Sequence, residues 1–327
     1  MEASPNSEIY IEADPVLEPI AIAELFYLEG ENGEPPDDRF EIQTVATVVD
    51  SRTLLEAIQN PKSLIELDLE FDDVDDRTNA DVMIEQIEFS DVVVLNRTSD
   101  IPPQTLAKAR GLIEWLNPRA QLVEVPQDGC NREFVEEFWQ ACRRTVFDFD
   151  EAAEGAGWIQ LLANSHPKID RGVGLSAIGL RARRPLHPAR FKTFIESLSA
   201  HQIVRIKGWI WIATRNGETG IWSVAGASSI LAAAGAWMAA TPMREWPEDP
   251  LEREDIMADW VPPYGDRRQE IAIMGFELNE FELRRSFKAC LLTDEEFELG
   301  PEGWAKWPDP LPDWSVDSGD DFDGLLQ

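Results

Sequence analysis

The first 150 residues alternate between short apolar runs and segments with helical spacing. Residues 44–50 (TVATVVD), 91–96 (DVVVLN) and 120–125 (AQLVEV) are apolar and rich in β-branched side chains, which predicts buried strands. Between them, residues 79–89 (NADVMIEQIEF) and 102–117 (PPQTLAKARGLIEWLN) carry apolar side chains at the spacing of amphipathic helices. Strands that alternate with helices predict a parallel sheet with helices on its faces.

The second half, residues 157–314, has a different pattern. It predicts strands over 172–183 (GVGLSAIGLRAR) and 267–278 (RRQEIAIMGFEL), and a meander over 201–240. Asn216-Gly217 lies between two apolar runs of that meander and predicts a tight hairpin. We therefore expect an α+β domain built on an antiparallel sheet. Residues 145–156 are acidic and small, which is typical of a linker or a short helix, and residues 315–327 form an acidic tail.

Three residues mark expected helix starts. Ser51 and Asn279 precede helical patterns and are candidate N-caps, because their side chains can accept hydrogen bonds from first-turn amides. Pro188 falls in the first turn of a predicted helix over 187–199, where its missing amide costs nothing.

Composition and charge exclude several classes of protein. The net charge of −33 would repel phosphates, so no nucleic-acid partner is expected. No run of eighteen apolar residues is present, and the first fifteen residues lack the features of a secretory signal, so no membrane partner is expected either. Three widely spaced cysteines form no disulfide framework, which favours a reduced, cytoplasmic protein.

The second predicted strand runs directly into a polar loop that begins with Asn96. Nucleotide-binding α/β domains that select guanine end a buried strand in Asn-Lys-x-Asp, whose Asp accepts hydrogen bonds from the base. Here Arg97 occupies the Lys position, Ser99 occupies the Asp position, and Asp100 comes one residue later. Losing that carboxylate removes charge-assisted hydrogen bonds worth about 1.5–3 kcal/mol each. We interpret Asn96, Arg97 and Ser99 as the remains of a guanine loop; either Asn96 now braces the backbone or some base binding persists.

Long stretches of both halves resemble the CobW-type GTPases, P-loop proteins related to zinc metallochaperones, cobalamin-synthesis proteins and nitrile hydratase activators. In the first half the similar stretch is DDRTNADVMIEQIEFSDVVVLNRTS, residues 75–99. In the second half residues 179–198, 205–226 and 264–297 are similar to the family's C-terminal domain. The resemblance covers roughly residues 11–314. It implies a Rossmann-like GTPase domain followed by an α+β C-terminal domain.

Two motifs of that family do not occur in this sequence. One is the GxxGxGKT loop, whose amides and Lys hold the nucleotide phosphates. The other is a Cys-x-Cys-Cys metal motif. Residues 10–26 resemble the family's later segment that contains Glu-Ser-Thr-Gly and Glu-Pro: Glu12 and Glu18-Pro19 match, whereas residues 13–15 differ. We therefore expect residues 1–150 to be a truncated, degenerate GTPase-like domain.

The resemblance and the altered motifs together predict a non-catalytic, CobW-like protein. It would be a pseudo-GTPase remnant that serves as a binding or regulatory module in zinc or cobalt homeostasis. Zinc is then a candidate ligand, GTP binding is not expected of the isolated chain, and no catalytic residue is assigned. One alternative is a split GTPase, in which another chain supplies the phosphate loop. A second is an acidic metal buffer without nucleotide chemistry.

Histidines and basic islands supply the other candidate residues. His166, His187 and His201 are the only histidines, and the resemblance implies metal binding near the first two in some members. Zinc needs three or four convergent ligands, so the sequence assigns none, and His187 is expected to cap a helix. Two basic islands either pair internally with carboxylates or form a surface for a partner. The residues of that candidate surface are Arg183, Arg184, His187, Arg267, Arg268 and Glu270.

A truncated parallel sheet also predicts association. Parallel strands are normally covered on both faces, and an exposed edge invites pairing with another chain. Either residues 7–15 (SEIYIEADP) rearrange to cover that surface or another chain does, and nine residues cover little area. We therefore expect a protein partner or self-association.

Overall fold

A computed structural model describes residues 8–27, 40–69, 77–126, 131–164, 173–198, 202–226, 228–247 and 249–314. His166, His201, Cys130 and the acidic tail lie outside these described residues. No helix within them is long and apolar enough to cross a membrane.

The first half contains the expected parallel sheet. Its strands are β1 (Ala46–Asp50), β2 (Val92–Asn96) and β3 (Gln121–Glu124), and they lie in the order β1-β2-β3. Ala46 pairs with Val92, and Val92 with Gln121. The helices of this half are α1 (Pro19–Tyr27), α2 (Leu54–Gln59), α3 (Asn79–Phe89), α4 (Pro103–Leu116), α5 (Arg132–Arg144) and α6 (Phe149–Glu154), and α7 (Gly157–Leu162) begins the second half.

The second half forms an antiparallel sheet with the order β4-β8-β5-β6-β7. Its strands are β4 (Leu175–Ala182), β5 (Ile203–Ile210), β6 (Glu218–Ala225), β7 (Ser228–Ala236) and β8 (Gln269–Phe276). The accompanying helices are α8 (Pro188–Ser197), α9 (Pro250–Ala258), α10 (Glu280–Cys290), α11 (Asp294–Glu298) and α12 (Gly300–Trp304). The mixed fold, with one parallel and one antiparallel sheet, is therefore the fold class that the sequence predicts.

The local predictions have mixed outcomes. Pro188 opens α8, and the Asn279 side chain accepts a hydrogen bond from the Glu282 amide, as predicted. The Ser51 prediction is wrong, because α2 begins at Leu54 and the Ser51 hydroxyl donates to a distant carbonyl instead. The hairpin predicted around Asn216-Gly217 is confirmed, because β5 and β6 pair in antiparallel fashion, but its turn is longer than two residues. β5 ends at Ile210, and residues 211–217, which include a short 3-10 helix, make the connection.

One hydrophobic cluster joins the two sheets. It contains Val49 and Leu95 from the parallel sheet and Val204 and Met274 from the antiparallel sheet. The opposite face of the antiparallel sheet packs a second cluster under α8 and α10, which includes Ile206. The antiparallel sheet is thus covered on both faces, and the first half supplies one of its covers.

A buried ion pair crosses the same junction. Arg205 on β5 donates through Nε and Nη2 to both carboxylate oxygens of Glu88 on α3, at 3.1 and 2.8 Å. The two side chains are only 2% and 8% exposed. The Ser223 hydroxyl lies 3.3 Å from Arg205 Nη1 and satisfies a further donor. The charges are therefore paired, and the pairing requires this one docking of α3 on the sheet.

The outer side of β1 is open within the described part of the chain. β1 is an edge strand that pairs with β2 alone, and Val48, which projects away from the shared core, is 66% exposed. The Tyr10 ring packs on Trp139 of α5, with 4.9 Å between ring centroids, whereas Pro15, Val16, Leu64 and Leu69 line a shallow groove beside Val48. Association through this edge stays a prediction.

Removing one member of the buried pair should destabilise the fold strongly. Glu88→Gln leaves the Arg205 charge buried without its counter-ion, and such changes cost about 3–5 kcal/mol. We expect a loss of that size in the free energy of unfolding, measured by urea denaturation.

Glu136→Gln is the matched control, because its ion pair with Arg132 is exposed, at 59% and 90%. It should change stability by less than about 0.5 kcal/mol. Equal effects of the two substitutions would show that the buried pair does not constrain the junction.

Candidate functional site

The predicted guanine loop lies at the carboxyl end of β2, where α/β proteins commonly place ligands. Asn96 ends the strand, and Arg97 follows with a left-handed backbone, at φ 59° and ψ 37°. The Asn96 side-chain oxygen accepts the Arg97 amide at 2.8 Å, so Asn96 braces the turn locally. A short 3-10 helix, Thr98–Asp100, completes the loop.

The neighbouring strand ends hold this loop in place. The Ser51 hydroxyl, just after β1, donates to the Arg97 carbonyl at 2.9 Å, and the Ser51 amide donates to the Asn96 carbonyl. On the other side, the Thr98 amide donates to the Val125 carbonyl at 3.0 Å. The loop is thus fixed mainly through its backbone, and Ser51 serves this purpose instead of capping a helix.

The charged side chains of the loop are engaged with one another. Arg52 donates to the Asp50 carboxylate at 2.7 Å, and Arg97 Nε lies 3.7 Å from the same carboxylate. The hydrogen bonds from Arg52 lower the pKa of Asp50. Asp100 Oδ1 is buried without a partner among the described residues, so it faces inward. The other Asp100 oxygen lies 4.0 Å from Arg52 Nη1, and whether the loop still reads a guanine base stays a prediction.

The first basic island is held by contacts within the chain. Arg184 Nη1 donates to the Leu292 carbonyl at 3.2 Å, its guanidinium pairs with Asp294, and it lies 5.0 Å from the Phe297 ring centroid. Arg183 Nη1 lies 3.4–3.5 Å from the carbonyls of residues 265–267. These arginines join the loop before α8 to later segments.

The second basic island is held in the same way. Arg268 donates to Glu270 at 2.8 Å and lies 2.9 Å from an Asp259 oxygen. Arg267 donates to the Asn216 carbonyl at 3.0 Å, and burial lowers the pKa of its guanidinium. Both islands are therefore paired within the chain, which is one of the two alternatives given from the sequence. Their role as a surface for another protein stays a prediction.

His187 occupies the N-cap position of α8 but makes no side-chain capping bond, which corrects that prediction. Its ring stacks on Trp307, with centroids 5.0 Å apart. Burial, and then the nearby Arg190 charge, lower the pKa of His187. The imidazole is thus part of an aromatic cluster.

The described residues do not fit a metal site. No three of their His, Cys, Asp or Glu side chains are grouped so that they could hold an ion. Cys290 is buried, and burial raises the pKa of its thiol to about 11, so it is held as the neutral thiol rather than as a thiolate ligand.

A titratable group that sequence reasoning missed lies at the junction of the two sheets. Glu85 sits one turn before Glu88 on α3, facing Arg205 and Lys207 of β5. Burial, and then the Glu18 carboxylate, raise the pKa of Glu85 from 4.5 to about 7, although Lys207 and Arg205 oppose the shift. Burial also lowers the pKa of Lys207. The sequence gives one sign of this titratable group. Helix α3 and strand β5 each carry a charged residue, Glu85 and Lys207, next to apolar residues.

The parallel sheet with its strand-end loop and the covered antiparallel sheet define an α/β region followed by an α+β region. Residues 2–124 match the family described as "CobW/HypB/UreG, nucleotide-binding domain". Residues 175–291 match the "Cobalamin synthesis protein cobW C-terminal domain". The chain belongs to the CobW family.

Curated relatives are similar to most of this chain. The zinc-regulated GTPase metalloprotein activator 1 of Dictyostelium discoideum is 33% identical over 307 residues, 93% of this chain and 63% of that protein. A zinc chaperone of Mycobacterium tuberculosis is 30% identical over 247 residues, 74% of this chain and 56% of that protein. The chain thus spans less than two thirds of the length of these relatives.

Solved structures also show a likeness. The Zn(II)-bound YjiA GTPase from E. coli is 14% identical, with a TM-score of 0.32, and the match covers 85% of this chain and 69% of that one.

The raised pKa of Glu85 predicts a specific dependence of stability on pH. The folded protein holds this proton more tightly than the unfolded chain, so the free energy of unfolding falls as pH rises from 4.5 to about 7. Glu85→Gln is neutral throughout and removes the penalty. It should match the parent near pH 4.5 and exceed its stability by about 1–3 kcal/mol at about pH 8.

Urea denaturation at the two pH values measures this difference. Glu137→Gln, on the exposed surface of α5, is the control and should leave the difference between the two pH values unchanged. A Glu85→Gln profile parallel to that of the parent would contradict the assigned shift.

Proposed function

We propose that this chain acts in metal homeostasis as a CobW-family binding module whose strand-end loop does not recognise GTP. Two relatives support the first part, since their names describe a zinc chaperone and a zinc-regulated metalloprotein activator. The second part concerns this chain alone and rests on its loop.

The arrangement of the loop carries the proposal. Guanine selection needs a carboxylate that accepts two donors of the base, and a site that lacks it loses discrimination between bases. Ser99 offers only a hydroxyl, Asp100 Oδ1 is buried, and Arg97 lies beside Asp50. The backbone bonds from Ser51 and Thr98 keep the loop shape without these groups. The loop therefore contributes to folding and offers little to a nucleotide.

A split GTPase is the second candidate, and the open edge of β1 favours it. Val48 is exposed, and the outer side of the strand pairs with no strand among the described residues. A strand from another polypeptide could extend the sheet there and bring a phosphate loop beside β1 and β2. In that case nucleotide binding would belong to the assembly.

Calorimetry with GTP and Mg²⁺ separates the two candidates. The proposal predicts no binding tighter than about 100 µM, which corresponds to roughly 5.5 kcal/mol, and no preference for GTP over ATP. The same should hold after addition of the part of the Dictyostelium relative that this chain does not match.

The split GTPase predicts binding and phosphate release in that mixture only, and their loss with Val48→Asp. Micromolar GTP binding by the chain alone, with GTP preferred over ATP, would show that the loop still reads the base.

Growth under zinc limitation tests the role in metal homeostasis. Loss of the gene should slow growth of the source organism when zinc is chelated and have little effect in replete medium. The parent chain and a Ser99→Ala variant should restore growth equally, because the hydroxyl has no part in the proposed function. Growth that is independent of zinc supply would contradict the metal role, and failure of Ser99→Ala alone would contradict the passive loop.

A further inference from the structure

A groove of about 260 Å³ lies between the edge strand β4 and helix α10. Its lining combines apolar and basic side chains: Leu180, Arg181, Arg284, Phe287, Lys288 and Leu291. It is separate from the strand-end loop, which lies on the parallel sheet.

The groove is positively charged, although the chain carries a net charge of −33. Its three cations line it without any carboxylate among the lining residues. Arg181 and Arg284 use their Nε atoms on Glu270 and Glu280, at 3.0 and 2.8 Å, and their Nη1 atoms on the Asn164 side chain and the Gly179 carbonyl, so the Nη2 groups are the donors left for a ligand. Lys288, in the last turn of α10, has no carboxylate partner among the residues that the structure describes. The groove therefore attracts an acidic ligand.

The floor of the groove is apolar and rigid. Leu180 and Phe287 are buried members of the cluster under α8 and α10, and Leu291 packs against the same cluster. An acidic ligand that also carries apolar side chains would fit both parts of the lining better than a simple anion.

Residues 315–327 (SVDSGDDFDGLLQ) have this chemistry. They contain four aspartates and no Lys or Arg, and the apolar residues Phe322, Leu325 and Leu326 follow or interrupt the acidic run. Charge and hydrophobic character therefore both match the groove.

The preceding residue brings this segment close to the groove. Trp314 belongs to the same cluster as Leu180 and packs on Gly220 of β6. β6 pairs with β5, β5 with β8 and β8 with β4, so three strand spacings, about 15 Å, separate Gly220 from the strand that lines the groove. Thirteen extended residues span up to about 45 Å. The segment can therefore reach the groove within its own chain.

We propose that residues 315–327 dock in this groove within the same molecule. The aspartates pair with Lys288 and with the free donors of Arg181 and Arg284, and Phe322 and the leucines cover the floor.

Zero-length cross-linking of the full chain tests the proposal. A carbodiimide joins a lysine amine to a carboxylate only where the two are in contact, and peptide mass spectrometry locates the bond. Lys288 should be joined to an aspartate between 317 and 323 in monomeric protein, at a yield independent of protein concentration. Lys192 and Glu196 lie 3.9 Å apart on α8 and provide the internal positive control.

Matched variants separate docking from chance contact. Arg284→Glu should lower the yield at least about tenfold, which is a loss of roughly 1.4 kcal/mol of binding free energy. Arg285→Glu, the next residue of α10, does not line the groove and should leave the yield unchanged. Replacing Phe322, Leu325 and Leu326 by Ser should lower the yield, and should increase deuterium exchange in α10.

Three outcomes would overturn the proposal. One is the absence of a Lys288 cross-link to the segment in samples where the Lys192–Glu196 bond forms. Another is a cross-link found only in covalent dimers, which would place the segment of a second copy in the groove. The third is an equal effect of Arg284→Glu and Arg285→Glu, which would mean that general charge determines the yield. Circular dichroism of each variant checks that its fold is intact.

Discussion

The ion pair between Arg205 and Glu88 is the contact that the rest of the structure depends on. Two charges withdrawn from water gain little net stability, because desolvation offsets their attraction. We therefore expect their effect to be on arrangement, since a docking of α3 that separated them would leave two buried, unpaired charges. Val204 beside Arg205 and Ile87 beside Glu88 then enter the cluster shared by the two sheets. The two sequence halves thus share part of one core, although their sheet types differ.

The same constraint explains why Glu85 has an unusual environment. Glu85 lies three residues before Glu88, on the same face of α3, and this face packs on the antiparallel sheet. Glu85 therefore faces Arg205 and Lys207. Burial favours its neutral form, and the two cations favour its charged form. Because Glu85 lies between α3 and β5, we expect its protonation to affect the contact between the sheets.

Sequence alone predicts the strands and the longer helices because their patterns are local. β-branched runs predict β1 and β2, apolar spacing predicts α3, and a single Asn predicts the start of α10. The long family motifs predict the order of the two domains. Contacts between residues far apart in the sequence could not be predicted from local patterns. Arg205 and Glu88 are 117 positions apart, and Ser51 donates to a carbonyl 46 positions away. The residues that pair with the basic islands could not be predicted for the same reason.

In the strand-end loop, the groups that set its shape are different from the side chains that we propose no longer read a base. Its conformation depends on backbone groups, on the Ser51 hydroxyl and on the Asn96 side chain, which accepts the next amide. Reading a base depends on the side chains at positions 97 and 99. Because the two sets of groups hardly overlap, substitutions at 97 and 99 leave the bonds to β1 and β3 intact. The loop geometry is therefore maintained by folding, and only the chemistry of its exposed side chains bears on nucleotide binding.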